Sequence, residues 1–268
     1  MSPEHERARP HVREAGSGPA VVCLHANASS SSQWRELSER LAPRYRVLAP
    51  DLYGCGRSPQ WPSTTTITLA DEAALIEPVL ADAAPFALVG HSYGGAVALI
   101  AALADPTRLR ALVLFEPTLF SLVDAVAPRP NGVEGIRRTV DTAAAALARG
   151  DRDAAAEAFI DYWMGAGSWD ATPGSRKPAI AESMVNARRW AHALIVDPTP
   201  LAAFRRLETP VLYLTSEHSP ESAHAVAEVL VPALPRVRVV RLAGVGHMAP
   251  LTHPALVNDE IARFLDRA

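Results

Sequence analysis

Acyl transfer without a metal needs three groups: a nucleophilic hydroxyl or thiol, an imidazole to take its proton, and a carboxylate to hold the imidazole. The chain offers the first in Gly90-His91-Ser92-Tyr93-Gly94-Gly95. The apolar run Phe86 to Val89 precedes it and an alanine-rich run to Ala104 follows at once, so a G-x-S-x-G pattern stands where a strand turns into a helix. That context puts Ser92 at the tip of a sharp turn. Glycine at 90 and 94 lets strand and helix approach where a Cβ would collide. A candidate base comes late, as His247 in the turn Gly244-Val245-Gly246-His247-Met248. Candidate acids are Glu116 and Glu217, each closing an apolar run, with Asp124 a little beyond the first. A carboxylate at a buried strand end needs a partner, and an imidazole is a suitable one, which favours Glu116. Glu217 reads as an exposed loop residue.

Other candidates are few. His25 and His91 adjoin the chemistry and are read as shaping it, His253 precedes the last helix, and the remaining histidines read as surface or structural residues. Cys23 lies in an apolar run and Cys55 in a glycine turn; without metal-ligand spacing they read as free thiols in a reducing compartment. No ligand cluster suggests a metal. The formal charge of -3 has no basic block behind it, so neither nucleic acid nor an anionic membrane is expected as a partner. Met1 to Pro10 is charged, without the apolar core of a signal peptide, and no run elsewhere reaches membrane-spanning length. The expected location is the cytoplasm.

These residues must be positioned by the elements between them. At 268 residues, 49% of them hydrophobic, the chain can bury a large core. Ala20 to Leu24, Val47 to Ala49, Phe86 to Val89, Ala111 to Phe115, Pro210 to Leu214 and Val237 to Leu242 are short apolar runs of the kind buried in a parallel sheet. Helical periodicity falls between them, with Trp34, Leu37 and Leu41 on one face, then Leu69, Ala73, Ile76 and Leu80. Glu221 to Leu230 and Pro254 to Leu265 close the chain as helices. Alternating units of this kind predict an α/β fold, a mostly parallel sheet covered by helices on both faces. From 117 to 209 the strand pattern stops, and helical stretches separated by Pro and Gly predict a helical insertion, leaving 1–116 and 210–268 as the core.

With the elbow around Ser92, the early His25-Ala26-Asn27 loop, the turn Asp51 to Ser58 and Gly246-His247, the sequence resembles the α/β-hydrolase fold family from about Val12 to Leu265. The resemblance implies a lid between the sixth and seventh strands in the family's counting. It assigns the nucleophile to Ser92, the base to His247, and the oxyanion donors to the backbone N–H groups of Tyr93 and Asn27, with Ala26 as the alternative to Asn27. It also marks a departure. Most relatives carry an aspartate after the strand that follows the lid, and the corresponding positions here are Ser216 and Ser219. Some members place the acid at the end of the strand after the nucleophile's, which is Glu116. The glycine-rich elements all belong to this pattern, so no cofactor is expected.

The implied activity is a serine hydrolase acting through an acyl-enzyme on a small-molecule ester with a small to medium apolar acyl group. His25, Phe120, Trp163, Met164, Trp169, Trp190 and Met248 are the side chains expected at its pocket. A serine nucleophile is unlike the aspartate of dehalogenases and epoxide hydrolases. Carbon-carbon bond hydrolases and cofactor-free haloperoxidases or perhydrolases share the same triad, and some relatives are small-ligand receptors, so these stand as alternatives. The sequence leaves oligomeric state open.

Overall fold

A computed structural model describes residues 8–62 and 65–268; His5 and the first seven residues of the expected core segment lie outside the described residues. The chain runs β1 (Val12–Ala15), β2 (Ala20–Leu24), α1 (Arg35–Leu41), β3 (Arg46–Pro50), α2 (Leu69–Ala83), β4 (Phe86–His91), α3 (Tyr93–Ala104) and β5 (Leu109–Phe115). Helices then follow without a strand: α4 (Ser121–Val126), α5 (Glu134–Ala148), α6 (Arg152–Met164), α7 (Ser168–Ala171), α8 (Lys177–Ser183), α9 (Ala187–Val196) and α10 (Leu201–Phe204). The core pattern resumes with β6 (Val211–Ser216), α11 (Glu221–Leu230), β7 (Val237–Leu242), α12 (Ala249–Thr252) and α13 (Pro254–Leu265).

The strands form one sheet in the order β1-β3-β2-β4-β5-β6-β7, in which β1 pairs antiparallel with β3 and the other pairs are parallel. Strand periodicity of two sends alternate side chains to opposite faces. In β2, Val22 and Leu24 join the core under α2 and α3, while Val21 and Cys23 join the core under α1 and α13. Both faces are thus covered, which explains why the central strands read as continuous apolar runs rather than alternating ones. β1 was not expected as a strand. Its sequence Val-Arg-Glu-Ala is charged and only partly buried, as suits a sheet edge, where charge discourages pairing with another chain.

The order determines where a ligand can sit. From β2 the chain crosses to β3 on one side, and from β4 it crosses to β5 on the other, so the crevice at the switch point opens beyond the carboxyl ends of β2 and β4. The His25-Asn27 loop and Ser92 stand at those two ends. Among the described residues, no helix is long and apolar enough to cross a membrane.

Candidate active site

Ser92 adopts φ 55° and ψ -119°, a conformation an L-residue takes only when its surroundings impose it. Its neighbours do impose it. A Cβ on Gly94 would run into the backbone of Leu24 and His25, and one on Gly90 into the backbone of Gly94 and Gly95, so glycine alone permits β2, β4 and α3 to meet this closely. The Ser92 N–H donates to Phe115 O at 3.0 Å, and the Ser92 carbonyl accepts from Thr118 N–H at 3.3 Å, tying the elbow to the end of β5. Two more non-glycine residues with positive φ, Ala28 at 52° and Glu116 at 41°, flank the same crevice. Among the described residues these three are the non-glycine positions of that kind, and all three lie around this one crevice.

The side chains meet in a line. Ser92 Oγ lies 2.9 Å from His247 Nε2, and His247 Nδ1 lies 2.7 Å from Glu116 Oε2. All three are buried, at 6%, 1% and 0% exposure. With Nδ1–H donated to the carboxylate, Nε2 carries the lone pair and can accept a hydrogen bond from the Ser92 hydroxyl. Burial alone would raise the Glu116 carboxyl, but hydrogen bonds from His247, Ser219 and Ser216 hold it below its ordinary range. Oε1 accepts from Ser216 N–H at 2.6 Å and Thr215 Oγ1 at 3.1 Å, and Oε2 accepts from Ser219 Oγ at 2.7 Å. Ser216 and Ser219, which stand where most relatives carry an aspartate, therefore serve as donors to the carboxylate from β6 and the loop after it. Glu217 is exposed and accepts Gly244 N–H at 2.8 Å, while Asp124 is bound by Arg129, Asn131 and Arg137. Neither approaches His247.

A second network fixes the backbone around the line. Ala26 N–H donates to Gln33 Oε1 at 3.0 Å, Gln33 Nε2 donates to His91 Nδ1 at 3.1 Å, and His91 Nε2 donates to His247 O at 2.9 Å. Burial, with the nearby His247, lowers the His91 imidazole well below its ordinary range, so it stays neutral in this role. The Ala26 N–H is thereby occupied, whereas the Asn27 N–H has no acceptor among the described residues and Tyr93 N–H belongs to the first turn of α3, which has no intrahelical partner.

A cavity of about 1010 Å³ opens over Ser92 and His247. Phe120, Trp163, Met164 and Met248 line it, together with Asn27 and apolar side chains of α5, α6 and α9. His25, Trp169 and Trp190 do not. The His25 ring is used at both nitrogens, donating to Ala26 O at 2.7 Å and accepting Leu52 N–H at 3.0 Å, so it braces the loop instead. Trp169 and Trp190 are buried in the cluster that joins the helical segment to the sheet face under α2 and α3. Sequence reasoning missed Gln33 and also Asn186, a cavity-lining side chain 7% exposed. Nothing near either in the chain signals its role.

It missed Glu72 as well. This α2 residue is fully buried beneath the elbow, accepting Tyr93 O–H and Tyr53 N–H, each at 3.1 Å. Burial pushes its carboxyl up to about 8. The native state then binds a proton that the unfolded chain has released, so between the unfolded value and about pH 8 stability falls as pH rises. The slope reaches about 1.4 kcal/mol per pH unit for one proton. Glu72→Gln has no proton to lose and should flatten that slope in urea unfolding at pH 5 and pH 8. An unchanged slope in the variant would show that the carboxyl is ionised throughout.

A family model described as alpha/beta hydrolase fold matches residues 19–254. The chain belongs to the alpha/beta hydrolase family. Polyketide synthase ThaQ of Burkholderia thailandensis is 30% identical over 97% of this chain, but the match occupies only 12% of that protein. Lipase LipV of Mycobacterium tuberculosis is 36% identical over 52% of this chain and 56% of its own length. 2-(Acetamidomethylene)succinate hydrolase of Mesorhizobium japonicum is 30% identical over 96% of this chain and 91% of its own. The chain thus spans only a small part of the synthase and about half of the lipase.

Proposed function

We propose that this hydrolase cleaves a carboxylic ester through an acyl-enzyme, with Ser92 as nucleophile, His247 as general base and acid, and Glu116 holding the imidazole. The observation that carries the reading is the Ser92–His247–Glu116 line, with hydrogen bonds of 2.9 and 2.7 Å at the floor of a cavity. Ser92 Oγ attacks the carbonyl carbon as its proton passes to His247 Nε2; the N–H groups of Asn27 and Tyr93 receive the oxyanion; the protonated imidazole then returns the proton to the departing alcohol. Water repeats the sequence to release the acid. Residues 117–209 serve as a cap over the crevice, and the apolar side chains they contribute suit a small to medium apolar acyl group. No step requires a cofactor.

The full-length match to 2-(acetamidomethylene)succinate hydrolase supports a second reading, in which the same three residues hydrolyse an acid of that type rather than an ester. A substrate panel separates the two. Purified protein is assayed for multiple turnovers on p-nitrophenyl esters of increasing chain length, lactones, vinylogous diketones and 2-(acetamidomethylene)succinate. Catalytic turnover of esters, with kcat/KM falling as pH drops because the base must be neutral, is the expected result. Turnover of the succinate alone would move the assignment to the second reading. Binding without turnover of any of them would make the protein a receptor on the same fold.

A further inference from the structure

The base of this site has a fourth neighbour that the triad itself does not require, a cavity-lining side chain stacked on the imidazole. The indole of Trp163, from α6 in the helical segment, lies over the imidazole of His247 with ring centroids 4.0 Å apart and planes inclined by only 26°. Both rings are buried, at 6% and 1% exposure. The indole is itself held in place. Tyr162 meets it edge-on at 5.1 Å and Phe159 at 6.3 Å, and Tyr162 O–H donates to Ser222 Oγ on α11 at 2.7 Å, fastening α6 to the core.

An aromatic face attracts a cation through its quadrupole and a neutral ring far less, and the attraction is largest where water is excluded. His247 is neutral before each chemical step and cationic during it. An indole stacked on it therefore favours the state in which the proton has moved from Ser92, which is the condition for an interaction to raise kcat rather than affinity. The remaining groups around the imidazole are Ser92 at Nε2, the Glu116 carboxylate at Nδ1, and the neutral His91 ring at 5.1 Å. Only Glu116 among them also favours the cation.

We propose that Trp163 is a positioning residue for the reaction, a platform on the helical segment that stabilises the His247 imidazolium and makes the base fully effective only while α6 is docked. The proposal rests on the reading of His247 as the base. It differs from a role in lining the pocket, which would alter KM and chain-length preference and leave proton transfer alone.

The test compares Trp163→Phe and Trp163→Leu on p-nitrophenyl acetate, whose acyl group is too short to need the far wall. Trp163→Leu should lower kcat about 10- to 30-fold, with KM within about twofold, and move the acid limb of the kcat/KM profile down by about half a unit to one unit. Trp163→Phe keeps an aromatic face and should recover most of the loss. Leu and Phe variants equal to wild type in kcat, or an acid limb that does not move in the Leu variant, would overturn the proposal. Should the Leu variant unfold, Trp163→Met carries the same comparison. The rate of Ser92 labelling by a fluorophosphonate also depends on the base and needs no ester. It should follow the order wild type, Phe, Leu even if the ester reading fails, and equal labelling rates would sink the platform on their own.

Discussion

Ser92→Ala should abolish covalent labelling by a fluorophosphonate and reduce turnover of an activated ester by at least about 10⁴-fold. The size follows from what remains. In the proposed mechanism the Asn27 and Tyr93 N–H groups and the cavity still bind and polarise a carbonyl, but no side chain is left to form the acyl intermediate, and the neutral imidazole can only recruit water. The substitution is also mild structurally. Alanine tolerates φ 55° no worse than serine, and the hydroxyl lost is bonded only to His247, so thermal stability should stay close to wild type. Loss of activity with an unchanged melting temperature therefore reports chemistry. A labelled adduct at another residue, with turnover intact, would remove Ser92 from the mechanism.

How much of this could be read from the chain depended on whether the cause was local. The elbow was legible because the close approach it demands needs glycines two residues away on either side, and the parallel strands because burial on both faces writes itself as a short apolar run. β1 was not legible, since an edge strand has one neighbour and carries charge to discourage a second. The residues that hold the site together were the hardest. Gln33 acts on His91 across 58 positions and Ser219 on Glu116 across 103, and nothing in the sequence near either one signals the partner. Glu72 shows the same difficulty in reverse: a glutamate in the first turn of a helix looks solvated, and only the packing of Tyr53 and Tyr93 against it makes it a buried acid. Aromatic side chains in the helical segment could be counted but not aimed. Trp163 faces the cavity and the base, while Trp169 and Trp190 are buried in the core away from the cavity lining.

The choice between the two glutamates leads to the sharpest expectation. Glu116→Gln should lower kcat by as much as about 10⁴-fold without unfolding the protein, and Glu217→Gln should be nearly silent. The first effect comes from which end of the new amide faces the imidazole. Oε1 of Glu116 accepts Ser216 N–H at 2.6 Å, and a backbone N–H can only donate. The carbonyl of the glutamine must therefore take that position, which turns its NH₂ toward His247, where Oε2 now accepts at 2.7 Å. An NH₂ there donates to Nδ1, so the ring proton moves to Nε2, and the nitrogen facing Ser92 can no longer accept the hydroxyl proton. Shape is conserved and the tautomer is wrong. The reversed amide would restore the tautomer only by setting NH₂ against N–H in a fully buried site, at a cost of one lost hydrogen bond and two opposed donors. Glu217→Gln meets no such conflict, because its side chain is exposed and an amide carbonyl accepts Gly244 N–H as well as a carboxylate does. Steady-state kcat for the two variants on one ester, with melting temperatures for both, decides the matter. Full activity in Glu116→Gln beside a crippled Glu217→Gln would transfer the role to the other glutamate.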